Sequence, residues 1–138
     1  MSATPLPPPT GATEHTAVTV SVPARAGFLH VIRAVVGSVA AHHDLTVDGI
    51  EDLRIAVDEA CAQLIRAGGA QIVVRVAPSP AGVQVVCHTD AEVVAWPPEG
   101  IERTLAAQVL HGLADEVAWE RTDGRPAVRM SKHAVAGP

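Results

Sequence analysis

The chain has 138 residues, 48% hydrophobic and 18% charged, which suits one compact domain with its own core and excludes disorder throughout. A formal net charge of -5 leaves no basic excess to neutralise a phosphate backbone, and two Trp, one Phe and no Tyr offer no stacking platform for single-stranded nucleic acid. Proteins or small ligands are the expected partners, with no direct nucleic-acid contact.

Residues 1–14 hold four of the eleven prolines (Pro5, Pro7, Pro8 and Pro9) among small polar residues, and this composition predicts a flexible tail. The start lacks the basic and apolar regions of a signal peptide, and no apolar run approaches the ~20 residues of a spanning helix. A cytoplasmic protein with no membrane contact is expected. The domain itself is expected over 15–133, with a flexible C-terminus over 134–138.

Ala17 to Val22 alternate with period two, placing Val18, Val20 and Val22 on one face of a first strand that Pro23 stops. Phe28, Leu29, Ile32, Val35, Val36, Val39 and Ala40 follow the spacing of an amphipathic helix ending near His42-His43, with His30 and Arg33 off the stripe. Asp48, with Glu51 three residues on, is the expected cap of a second helix whose seam is Leu53, Val57, Ala60 and Leu64 and whose end is Gly68-Gly69.

Gln71 to Val76 and Val83 to Cys87 read as two antiparallel strands around Ala-Pro-Ser-Pro-Ala-Gly. Asp90 to Gly100, with Trp96-Pro97-Pro98, reads as an irregular crossover into a third helix marked by Ile101, Leu105, Val109 and Leu113. Asp123-Gly124 then turns a last hairpin, Glu116–Arg121 with Pro126–Ser131. The order predicts an α/β (α+β) two-layer sandwich. Its five-stranded sheet, mixed but mostly antiparallel, is covered on one face by three helices.

Glu59 and Gln63 lie four apart on the second helix and share a face away from the seam, which on its own describes a solvated polar face. The seven histidines lack metal-ligand spacing. Cys61 and Cys87 sit on elements expected to pack together, as buried thiols or, less simply, as a redox-sensitive pair.

The run Asp52-Leu53-Arg54-Ile55-Ala56-Val57-Asp58-Glu59-Ala60-Cys61 resembles the N-box helix of the RsbW-type anti-sigma factors, serine/threonine protein kinases of the GHKL, or histidine-kinase-like ATPase, superfamily. The order of elements over nearly the whole domain is similar as well. The resemblance implies Glu59 as the catalytic carboxylate and Gln63, one methylene longer than the family's Asn, as the residue that would hold Mg²⁺ on ATP. It aligns His88 with the Asp that accepts from the adenine amino group, Asp90 with the following Gly, and Arg103-Thr104 with the glycines of the phosphate loop. It also implies that Arg33, otherwise an ordinary solvated arginine, contacts protein partners.

These boxes depart from the family pattern at Gln63, His88, Asp90, Arg103 and Thr104, so weak or absent catalysis is expected. The implied function is an anti-sigma factor that sequesters a stress- or sporulation-type sigma factor, acts as a homodimer, and is antagonised by an STAS-domain anti-anti-sigma factor. The alternative is an active ATP-dependent serine kinase acting on that antagonist.

Overall fold

A computed structural model describes residues 16–134. The expected tail over 1–14 lies outside the described residues, as does the C-terminal stretch beyond Ala134. Strand β1 (Val18–Pro23) leads through a 3-10 turn (Ala26–Phe28) into helix α1 (Leu29–Ala41) and helix α2 (Val47–Arg66). Strands β2 (Gln71–Ser79) and β3 (Gly82–Thr89) form a hairpin. A long connection with a 3-10 turn (Ile101–Arg103) then enters helix α3 (Leu105–Leu113), and strands β4 (Glu116–Thr122) and β5 (Arg125–His133) close the domain.

The strands form one sheet in the order β1-β2-β3-β5-β4, and all four ladders are antiparallel, so the sheet carries no parallel pair. Pairing alternates side chains between its faces. Ile72, Val74 and Val76 of β2, Val83, Val85 and Cys87 of β3, and Val128 and Met130 of β5 face the helices and are buried. Each valine- or isoleucine-sized side chain so removed from water contributes about 1.5–3 kcal/mol before the entropy of ordering is counted. Helix α1 lies over β1 and β2, α2 over β3 and β5, and α3 against β4. Among the described residues the other face of the sheet bears no helix.

The helix seam is as the periodicity predicts: Leu53, Val57, Ala60 and Leu64 of α2 are fully buried, together with Ile32 and Val36 of α1. The cap is different. Thr46, not Asp48, precedes the first helical residue, and its hydroxyl accepts from Gly49 N at 2.9 Å. Asp48 lies inside the first turn, where its charge complements the helix dipole.

At the other end of α2, Gly68 is left-handed (φ 94°), and Gly69 passes so close to β3 that a Cβ there would collide with the Thr89 hydroxyl and the Asp90 carboxylate. Lys132 ties the two layers together by donating to the carbonyl of Leu113 at 2.8 Å and to Asp52 at 3.3 Å. The two thiols expected to pack together do so. Cys61 and Cys87 are free, buried and hydrogen-bonded to each other, and that bond together with burial pushes the Cys87 thiol up.

Candidate functional site

Helix α2 presents Glu59, Gln63 and Arg66 at i, i+4 and i+7, one row on its surface. Facing this row, the 3-10 turn and the start of α3 supply Ile101, Thr104, Leu105, Ala106 and Val109, and together they enclose a cavity of about 350 Å³ open to solvent. Glu59 is half-buried at its edge. Gln63 is only 4% exposed, so its amide belongs to the cavity wall rather than to a solvated polar face.

The start of α3 is built for order. Thr104 is its N-cap, with the hydroxyl accepting from Ala107 N at 3.2 Å and donating to the Ile101 carbonyl at 2.6 Å. The N–H groups of Leu105 and Ala106 at the helix start have no intrahelical partner, and these residues border the cavity at the positive end of the helix dipole.

The connection leading to this helix is pinned from several directions. Trp96 Nε1 donates to the Ala127 carbonyl at 3.0 Å, and its ring meets Trp119 edge-on with centroids 5.7 Å apart. Glu102 accepts from Trp119 Nε1 at 3.0 Å with one oxygen and lies 2.9 Å from His111 Nε2 with the other. One carboxylate thereby fixes the 3-10 turn to both β4 and α3.

The family description "Histidine kinase-like ATPase domain" matches residues 22–132, from the end of β1 to the end of β5. Two curated relatives, each named Anti-sigma-F factor RsbW and coming from two strains of Mycobacterium tuberculosis, are 33% identical to this chain over 124 residues. That alignment covers 86% of this chain and 70% of each relative. The chain belongs to the RsbW-type family of histidine kinase-like ATPase domains.

Within this family fold the structure separates the sequence-derived site residues into groups. Glu59, Gln63 and Thr104 come together around one cavity, joined by Arg66, which the sequence reading passed over although the helical row of Glu59 and Gln63 runs through it. Arg103 is exposed and folds back over Gly100, with Nη2 3.0 Å from where a Cβ on that glycine would stand; it does not line the cavity.

His88 lies on the opposite side of the sheet. It pairs with Val73 and Ala127, whose side chains point away from the helices, while its neighbours Cys87 and Thr89 point towards them. The helix-facing position at the end of β3 is therefore Thr89, and its hydroxyl donates to the Gln71 carbonyl at 2.7 Å. Asp90 is engaged in the backbone, accepting from Ala70 N at 2.8 Å and Gln71 N at 3.2 Å, so it clamps the turn between α2 and β2. The Gln71 and Ala70 amides hold its carboxyl below the usual range.

These placements decide how far a magnesium nucleotide fits. The phosphate end has a carboxylate, an amide oxygen, a guanidinium and open helix amides around one cavity, a donor set suited to Mg²⁺ and phosphate. At the base end, His88 faces the other way, and Asp90 spends Oδ1 on the Ala70 and Gln71 amides, which ties its carboxylate to the turn before β2. Neither residue therefore stands as the family's adenine-binding carboxylate does.

Arg33 is half-exposed on α1, and its Nη1 donates to Asp58 Oδ2 of α2 at 2.7 Å. Among the described residues no helix is long and apolar enough to cross a membrane, and no group of three or more His, Cys, Asp or Glu side chains could hold a metal ion.

Proposed function

We propose that this chain is an anti-sigma factor that holds an alternative, stress- or sporulation-type sigma factor away from RNA polymerase. In this reading an STAS-domain anti-anti-sigma factor competes for it, and the protein works as a cytoplasmic homodimer. The observation that carries the reading is the 33% identity to RsbW over 86% of the chain, beside the histidine kinase-like ATPase match over residues 22–132. The net charge of -5 supports it, because a sigma factor exposes basic surfaces suited to DNA. Arg33 is the proposed anchor for partners, with a planar guanidinium fork suited to a carboxylate.

The test is co-purification of the tagged chain with stress- and sporulation-type sigma factors, beside Arg33→Glu. Stable capture by the parent protein and loss in the variant are expected. Failure of the parent protein to retain any of them removes the sigma-factor reading, while equal capture by both removes only Arg33.

For the nucleotide, the proposal is weak binding without efficient phosphoryl transfer, so that competition between partners is the switch. A second reading, an ATP-dependent serine kinase acting on the antagonist, is favoured by one observation: Glu59 and Gln63 stand one turn apart on the same cavity wall. Calorimetric titration with Mg-ATP separates the two. Absence of micromolar binding is expected, with a gain in Gln63→Asn. Tight binding, with phosphorylation of an STAS protein that disappears in Glu59→Gln, establishes the kinase.

A further inference from the structure

The sheet face without helices carries a second cavity, of about 410 Å³, lined by Gln71, Val73, His88, Thr89, Asp90, Glu92 and Arg125. Its cationic wall follows from the β4–β5 turn. Asp123 (φ 54°) and Gly124 (φ 78°) reverse the chain so tightly that Arg125 is the first residue of β5, paired with Thr122. Two residues on, Ala127 pairs with His88, so Arg125 and His88 are diagonal neighbours on one face, within reach of a long side chain.

Arg125 has a buried Nε with no hydrogen-bond partner, and neither it nor His88 makes an ion pair or side-chain hydrogen bond with the described residues. A buried guanidinium nitrogen left unsatisfied is costly and is normally matched by an acceptor. On β2, Gln71 accepts from Ser21 Oγ at 3.3 Å through its carbonyl oxygen, which leaves its NH₂ group to donate. Three strands thus bring a guanidinium, an imidazole and an amide to one cavity. The acid groups there differ in availability: Asp90 is bound to the Ala70 and Gln71 amides, and Glu92 is exposed.

We propose that this cavity binds the phosphate group of a small phosphomonoester, with Arg125 as the principal contact and His88 and Gln71 as further donors. Three donors from three strands suit a tetrahedral head with three free oxygens better than a planar carboxylate with two. The volume exceeds that of the ion alone and accepts an organic remainder beside Val73. Burial and the neighbouring Arg125 charge keep the His88 imidazole neutral, so it acts as an N–H donor and an anion there relieves its exposure to that charge. The site lies across the sheet from Glu59 and does not depend on the role proposed for the helix-side cavity.

The experiment is titration of the full chain with inorganic phosphate and with phenyl phosphate, read by calorimetry and by the imidazole resonances of His88. Saturable binding that shifts those resonances is expected, weakened about tenfold or more in Arg125→Ala. Glu92→Gln, an exposed change that leaves the fold intact, tightens it by removing a like charge. Glu59→Gln leaves it unchanged, which separates this site from the start of α3. Equal affinity in the parent protein and Arg125→Ala, no response to Glu92→Gln, or binding that leaves His88 unmoved overturns the proposal.

Discussion

Arg33 on α1 and Asp58 on α2 are joined by a 2.7 Å ion pair, and Asp58 immediately precedes Glu59 of the helix-side cavity. The residue proposed to meet a partner is therefore already held by its own domain, with the second Asp58 oxygen buried and without a partner. Both side chains are about one-third exposed (37% and 34%), so the pair contributes about 0–1 kcal/mol to stability. Its larger effect is on where the guanidinium points. Asp58→Ala should leave the thermal midpoint within a few degrees and change sigma-factor capture in co-purification, because Arg33 loses its positioning carboxylate. Arg33→Glu should abolish capture.

Gly69→Ala should be among the most damaging single-methyl additions in this chain. The new Cβ would collide with the Thr89 hydroxyl at the end of β3, with the Asp90 carboxylate that clamps the turn, and with the backbone nitrogen of Ala91. Overpacking of this kind costs about 1–3 kcal/mol. Chemical denaturation should show a lower midpoint with an unchanged slope, and Gly112→Ala, where a Cβ meets nothing within 4 Å, should show no such loss.

Acid should weaken the fold through two groups. The Gln71 amide, with Ala70, lowers the Asp90 carboxyl below its ordinary value in the folded state, so the folded chain binds fewer protons there than the unfolded chain. That contribution is intact above about pH 3.9 and is lost as pH falls through the lowered folded value. Burial, followed by Arg125, lowers His88 as well. Its neutral form is favoured on folding, so stability declines as pH falls below about 6.5 and levels off below the folded value. Thermal midpoints from pH 7 to 3 should fall less steeply in Asp90→Asn at the acid end and in His88→Gln near pH 6.

Thr104→Ala should remove the cap of α3 and cost about 1 kcal/mol, read as a lower unfolding midpoint. Because the same hydroxyl bridges Ala107 N and the Ile101 carbonyl, amide exchange should quicken first at the start of α3.

The elements were legible because their signals are local. Alternating valines mark β1, β2 and β3, and Asp123-Gly124 marks the last hairpin. What a local signal does not give is which face a strand's end residue occupies. His88 aligns with a family acid by count, yet the parity set by Val83, Val85 and Cys87 turns it away from the helices and turns Thr89 towards them. That parity was present in the sequence. The cap of α2 was ambiguous for another reason, since Thr46 and Asp48 are both capping types and only the backbone decides which one precedes the first helical turn. Arg66 was readable by extending the row of Glu59 and Gln63 by one turn.

The mutual burial of the only two cysteines makes the chain its own folding reporter. Neither Cys61 nor Cys87 has accessible surface, and they sit on different elements at the centre of the core. A thiol reagent can reach them only when helix α2 leaves the sheet, so labelling follows rare opening of the whole domain rather than surface fluctuation. Mass spectrometry of alkylated protein then counts molecules that have opened, without a dye or a tag, and a bound partner slows the count in proportion to the stability it adds.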